Sequence, residues 1–223
     1  MLLALDTSTR NTGIAIYDGI QVLCESIWTT LNYHTVELAP AVIEIMARAG
    51  LTMRDLKALA VASGPGSFTG LRIGMALAKG IALACHLPMI GIPTLDIVAE
   101  SQPVSPGYKL ATILQAGRGR LAVGWYTATN GHWELSPPIE VMEVQKLSHQ
   151  ISEPTLVCGE LTEEQQHALA RKYKNVVLAS PAHSIRRPSL LAELAWKRWQ
   201  AGDVDDPVTL SPTYLHLGER IPD

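Results

Sequence analysis

The sequence predicts a mixed-sheet α/β fold in two lobes, on three observations. Residues 2–6, 12–17 and 21–27 are short runs rich in apolar or β-branched side chains, separated by Thr-Ser-Thr-Arg-Asn and by Asp18-Gly19. Runs punctuated by turn residues in this way read as a three-stranded meander. A helical pattern over 35–49, a strand over 58–62, a helix over 70–85 and a strand over 88–92 follow, and a meander followed by helix, strand, helix, strand is an α/β lobe on a mixed sheet. Finally, Pro, Ser and Gly cluster in Ser101-Gln-Pro-Val-Ser-Pro-Gly107, and beyond this break the opening pattern returns. Laying Asp6 over Gln115 puts Ile14 on Val123, Ile16 on Trp125 and Tyr17 on Tyr126, matching apolar residues at alternate positions as a duplicated lobe would; any two hairpins can also align this well. A strand over 155–158, a helix over 162–173, a strand over 176–179 and a helix over 188–201 complete a smaller second lobe. The domains are expected at 1–103 and 104–223.

Helix 35–49 carries Glu37, Glu44 and Arg48 on one narrow stripe and apolar residues almost everywhere else. A helix of that kind needs cover on two sides. Charged residues make up 17% of the chain, below the roughly 25% usual in soluble domains, which also points to surface covered by a partner. Lys plus Arg (18) against Asp plus Glu (21) gives a net charge of −3, so the chain lacks the basic footprint of a stand-alone nucleic-acid binder. Cys24, Cys85 and Cys158 are an odd, dispersed set without CxxC spacing, expected as reduced thiols. The start runs Met-Leu-Leu-Ala-Leu into Asp6 with no signal-peptide pattern. Arg72, Lys79, His86, Pro88 and Pro93 interrupt the most apolar region, 70–95, so no membrane span is expected and the chain is placed in the cytoplasm.

Chemistry could sit in two loops. Ser63-Gly64-Pro65-Gly66-Ser67-Phe68-Thr69-Gly70-Leu71-Arg72-Ile73-Gly74 lies between a strand and a helix, where free amides and the helix dipole favour an anion. It is not a Walker loop, since no Gly-Lys-Ser/Thr follows at the required distance, and it misses GxGxxG because Thr69 stands where the third glycine belongs. A tight turn capped by Ser67 or Thr69 is the structural alternative for Gly64, Pro65, Gly66, Ser67, Phe68 and Thr69. The helix that follows carries Gly70, Gly74, Ala78 and Ala82 at intervals of four. Helix-interior glycine costs about 1 kcal/mol against alanine, so close approach of another chain or of an internal element must offset it.

The second loop, Asp6-Thr7-Ser8-Thr9, is a candidate phosphate loop: a carboxylate at a strand end beside three hydroxyls suits a hydrated metal ion and a phosphate. The same residues are what any turn favours. The matching turn of the second lobe has Gln115, followed by Ala116-Gly117-Arg118-Gly119-Arg120, in place of a second acid. The seven histidines include no pair at three- or four-residue spacing, so no helical metal site of the HxxxH type is expected, and no GxSxG elbow occurs. A late basic group, Arg171, Lys172, Lys174, Arg186, Arg187, Lys197 and Arg198, reads either as a solvated face or as a contact to an RNA backbone.

Leu-Ala-Leu-Asp-Thr-Ser-Thr (3–9), the single His34 before the first helix, Ser-Gly-Pro-Gly-Ser-Phe-Thr-Gly-Leu-Arg-Ile-Gly (63–74) and Ser-Pro-Thr-Tyr-Leu (211–215) together resemble the bacterial TsaB family. The resemblance covers most of residues 1–100 and thins to scattered matches afterwards. It implies an actin-like, ribonuclease-H-like fold of two lobes. It also implies a non-catalytic subunit that pairs with the paralogous TsaD, which transfers a threonylcarbamoyl group to the adenosine beside the anticodon of certain tRNAs. A TsaE-like ATPase joins the complex, TsaC makes the adenylate donor, and tRNA is met only through the complex.

The paralog holds its metal with a histidine pair in the first helix, whereas this chain offers only His34 there; no metal is expected and no cofactor is required. ATP or ADP binding at Asp6–Thr9 stays open. Family members associate through the first two helices, as homodimers when alone, which implies an interface formed by Val36, Ala39, Val42, Ile43, Met46, Gly70, Leu71, Gly74, Ala78 and Ala82. Where family members often open the second lobe with Asp-Ala-Arg, this chain reads Gln115-Ala116-Gly117-Arg118. The alternative function is a stand-alone actin-like phosphotransferase, which needs magnesium-dependent ATP binding at the Asp6 turn.

Overall fold

A computed structural model describes residues 1–30, 34–170 and 175–215, with the His34 side chain outside the described set. Its contacts define two compact units. One comprises Met1–Ile97 with Arg186–Thr213, the other Val98–Ile185 with Tyr214 and Leu215.

The first unit contains β1 (Leu2–Asp6), β2 (Asn11–Tyr17), β3 (Val22–Thr29), α1 (His34–Arg48), β4 (Ala58–Gly64), α2 (Phe68–Cys85), β5 (Met89–Pro93) and the start of α3 (Thr94–Glu100). Its sheet runs β3-β2-β1-β4-β5, antiparallel across the meander and parallel from β1 through β4 to β5. Side chains alternate between sheet faces along each strand, and here the alternation also sorts them by size. Leu3, Leu5, Ile14, Ile16, Leu59 and Val61 face α1 and α2. The opposite face is mostly alanine, with Ala4, Ala15, Ala58, Ala60 and Ala62 joined by Leu2 and Ile90.

The second unit contains β6 (Lys109–Gln115), β7 (Leu121–Thr129), β8 (His132–Met142), α4 (Val144–Gln150), β9 (Thr155–Gly159), α5 (Glu163–Ala170) and β10 (Val176–Leu178). Its sheet runs β10-β9-β6-β7-β8, which repeats the first topology strand for strand. Ile113, Val123, Met142, Leu147, Ile151, Val157 and Leu169 fill its core beneath α4 and α5.

The duplication is therefore real in topology, but the constant offset fails after the first turn. Asp6 faces Gly13, whereas Gln115 faces Leu121, so the second turn is one residue shorter. A one-residue slip exchanges the faces of a strand, so Ile14 and Val123 are not equivalent positions. Strand β8 and helices α3 and α4 have no counterpart in the sequence reading; β8 contains Pro137 and Pro138. These prolines sit on an edge strand opposite a register shift between Val123 and Trp125, where proline is tolerated.

The division expected at residue 103 gives the last helix to the second lobe. Instead α6 (Pro188–Gln200) lays Leu191, Ala192 and Ala195 on the alanine face of the first sheet. Sequence pattern shows that α6 has an apolar face but not which sheet takes it. Here the small side chains of that sheet leave room for the bulky residues of α6, among them Leu194, Trp196 and Trp199. Trp196 meets Tyr17 edge-on at 5.6 Å between ring centroids.

Past α6 the chain runs along β5. The Asp205 amide donates to Met89 O at 2.8 Å and the Gly91 amide to Asp205 Oδ2 at 2.8 Å, while the Thr213 amide donates to Ser63 O at 2.7 Å.

Helix α2 is long and apolar enough, by length and composition, to cross a membrane, contrary to the expectation that its charges and the prolines after it rule out such a span. Gly70, Leu71, Gly74, Met75, Ala78 and Ala82 make up the buried third of the helix.

The N-terminus of α6 is held from β3. Glu25 Oε1 accepts from the Ser189 amide at 3.0 Å, and Oε2 accepts from Arg187 Nε at 3.1 Å and from its Nη2. Burial raises the Glu25 pKa, but the hydrogen bonds from Arg187 and Ser189 outweigh it and bring the carboxyl below its ordinary 4.5. A depressed folded pKa contributes stability that is present above the unfolded value and lost as the pH falls through the folded one. Urea unfolding from pH 7 downward is expected to show this loss below about pH 4.5, and Glu25→Gln is expected to flatten that part of the acid limb.

Candidate functional site

The Asp6–Thr9 turn and the glycine-proline loop form one site within the first unit. Strand β1 ends on Asp6, whose side chain is 2% exposed. Its Oδ1 accepts from the Ser8 amide at 2.9 Å and the Ser8 hydroxyl at 2.5 Å. Its Oδ2 accepts from Arg186 Nε at 2.9 Å. Arg186 Nη2 donates to Thr9 Oγ1 at 2.6 Å and to Asn11 O at 3.1 Å.

Arg186, 4% exposed, thus leaves the basic group read from the sequence as a solvated face or an RNA contact. Arg187 pairs with Glu25 and Arg198 with Asp203, while residues 171, 172 and 174 lie outside the described set. Nothing in the sequence marks Arg186, because its partner stands 180 positions away.

The loop closes on the other side of the turn. The Ser67 amide donates to Ser8 O at 2.6 Å and Thr7 Oγ1 donates to Gly70 O at 2.7 Å. Ser67 caps α2 by accepting from the Gly70 amide at 3.2 Å, the role the sequence offered it. Gly64 and Pro65 are buried, Gly66 lies against the Ser8 carbonyl, and Ser67, Phe68 and Thr69 are exposed. The Arg72 guanidinium carbon sits 3.8 Å from the centre of the Phe68 ring.

The ridge Gly70, Gly74, Ala78 and Ala82 faces inward. A side-chain carbon on Gly70 would strike the Thr7 carbonyl, and one on Gly74 would strike the Thr7 hydroxyl. Ala78 and Ala82 are buried in the core with Leu71, Val42 and Met46. These seven, together with Leu38 and Ile45 on α1, pack α1 and α2 onto the sheet and offer nothing at the surface. Of the residues expected at a partner interface, Val36, Ala39 and Ile43 are exposed. Val36 and Ile43 are each 65% accessible, and on α2 the exposed residues beyond Phe68, Thr69 and Arg72 are Ala76, Gly80, Leu83 and Ala84, with Leu83 at 63%.

Among the described residues no group of three or more His, Cys, Asp or Glu side chains comes together. The expectation for His34 falls on a side chain outside the described set. Burial pushes the Cys158 thiol up to about 12. Gln115 Nε2 donates to Glu160 O at 2.7 Å and Gln165 Oε1 at 2.8 Å, so it ties β6 to the loop before α5.

A family model described as TsaD, tRNA N6-adenosine threonylcarbamoyltransferase, matches residues 28–189. The tRNA threonylcarbamoyladenosine biosynthesis protein TsaB of Bacillus subtilis (strain 168) is 31% identical over 223 residues, 98% of this chain and 95% of that protein. The chain belongs to the TsaB family. TsaB of Escherichia coli (strain K12) is 34% identical over 161 residues, 66% of this chain and 67% of its own. A solved structure titled YeaZ from Pseudomonas aeruginosa superposes with a TM-score of 0.76 at 24% identity, over 96% of this chain and 99% of that one. The duplicated five-stranded topology of this TsaB-family chain is accordingly the actin-like, ribonuclease-H-like fold of two lobes.

A larger side chain at Gly74 has nowhere to go but into Thr7. Overpacking of this kind costs typically 1–3 kcal/mol, occasionally more, and Gly74→Leu is expected to lower unfolding stability by about 3 kcal/mol, read by urea titration. Gly80→Leu, with nothing within 4 Å of the added carbon, is expected to raise stability by roughly 0.5–1 kcal/mol, because it removes a helix-interior glycine without a clash.

Proposed function

We propose that this chain takes part in forming threonylcarbamoyladenosine on tRNA as the partner subunit of a TsaD-type catalytic paralog, with no chemistry of its own. The observation that supports this reading most is the outer surface of α1 and α2. Val36, Ala39 and Ile43 on one helix and Ala76, Gly80 and Leu83 on the other are exposed although apolar or small. Apolar positions concentrated on helix faces mark an interaction site, and a glycine with open space above it admits a close helix crossing. The buried residues of each helix, Leu38, Val42, Ile45 and Met46 on α1 and Gly70, Leu71, Gly74, Met75, Ala78 and Ala82 on α2, serve the core of their own lobe, which leaves the outer stripe for a partner.

The binding surface in this reading is therefore narrower than the sequence suggested: of the residues expected there, Val36, Ala39 and Ile43 remain. The same stripe serves a second copy of the chain when the paralog is absent. A TsaE-like ATPase and tRNA join only the assembled complex. Support for a partner role also comes from the charge balance, since a net charge of −3 gives an isolated chain little electrostatic pull on tRNA.

The test is pairing. Ile43→Glu combined with Leu83→Glu is expected to abolish co-purification with the paralog and to lower threonylcarbamoylation of tRNA by at least tenfold in a reconstituted assay, with circular dichroism and melting temperature unchanged. Full pairing in this variant, or paralog activity indifferent to the chain, removes the proposal.

A further inference from the structure

In the actin-like fold, the turn after the first strand is where a nucleotide-bound metal and phosphate would be held, and Asp6, Thr7, Ser8 and Thr9 have the chemistry for it. Their geometry does not fit that role. A hydrated cation needs a carboxylate oxygen turned to solvent, and Asp6 is 2% exposed with both oxygens accepting hydrogen bonds from within the protein. The Thr7 hydroxyl donates to Gly70 O, the Ser8 hydroxyl to Asp6 and the Arg186 guanidinium to Thr9. Every side chain of the turn is engaged inside the first unit.

We infer that the Arg186 guanidinium is a built-in cation that stands in the place of a metal ion at Asp6, and that the Asp6–Thr9 turn is a closed structural clamp instead of a nucleotide site. The argument rests on charge and shape. A carboxylate this deeply buried must be neutralised by a partner. Arg186 supplies the charge permanently, and its planar fork reaches Asp6 with Nε while Nη2 spans Thr9 and Asn11 O. Its side chain is 2% exposed, so the charge facing Asp6 is supplied from inside the protein. The clamp is also continuous with the glycine-proline loop: Arg186 holds Asp6, Asp6 holds Ser8, and the Ser8 carbonyl receives the Ser67 amide at the start of α2. A charge from the far end of the sequence thereby fixes where α2 begins. This inference is independent of the pairing reading and survives its failure.

The experiment uses the full chain. Calorimetric titration with magnesium and ATP is expected to give no heat at millimolar ligand; binding that disappears in Asp6→Asn overturns the inference. Arg186→Ala is expected to melt about 10 °C lower, the loss that an unpaired buried carboxylate produces in a chain of this size. Free guanidinium at tens of millimolar is expected to restore at least half of that loss in the variant and to do nothing for the wild-type chain. A purely packing role would not respond to guanidinium, so an unchanged melting temperature or a failed restoration overturns the built-in cation. Should Arg186→Ala not fold, Arg186→Lys carries the test: an intermediate melting temperature supports the forked contact, and one equal to the wild type overturns it.

Discussion

A carboxylate at the end of β1, with 2% of its side chain reachable by water, sets the terms for everything around it. Left alone, such a charge would cost several kcal/mol. Arg186 neutralises it, and because this residue opens the segment that leads into α6, neutralising Asp6 also fixes where that segment enters the lobe. The turn held in this way supplies the surface against which Gly70 and Gly74 pack. The order of dependence runs from one ion pair to a turn, from the turn to the glycine loop, and from the loop to the orientation of α2.

Size sorting in the first sheet follows from the same economy of space. Large aliphatic residues face α1 and α2, and alanines face α6. The alanine face brings the helix backbone close to the strands and lets Trp196 and Trp199 wrap around the margin, where their rings meet at 4.9 Å between centroids. Aromatic pairs in edge-on contact add stabilisation beyond the area they bury. Both helix layers therefore gain packing from a sheet whose two faces have different depth.

The five strands of the first sheet and helices α1 and α2 were legible because alternation and turn residues there are unambiguous: 2–6 is matched residue for residue, and 58–62 is extended only to Gly64. Ser67 as the cap of α2 was legible for the same reason, since capping is local. Two kinds of information were not. Which face of α2 points inward depends on Thr7, a residue more than sixty positions earlier, so the sequence leaves the small-residue ridge open between a docking surface and internal packing, and the structure uses it for packing. The partner of Asp6 lies 180 positions away and carries no local mark of burial. Period and propensity describe neighbours along the chain, and these contacts are between strangers in sequence. The second lobe was harder for a further reason: Pro137-Pro138 within β8 imitates a loop, and only the edge position of that strand makes it admissible.

The return of α6 to the first sheet has a consequence for synthesis. Domains generally fold as units while the chain leaves the ribosome, N-terminal parts first, yet the opening lobe here cannot cover its alanine face until a helix ending at Gln200 has emerged. The intervening 88 residues from Val98 to Ile185 are made before that helix exists. Nascent chains of this protein must carry an uncovered sheet, with Asp6 still lacking its cation, through most of translation, and the lobe that is encoded first waits for a segment made after nearly all of the second.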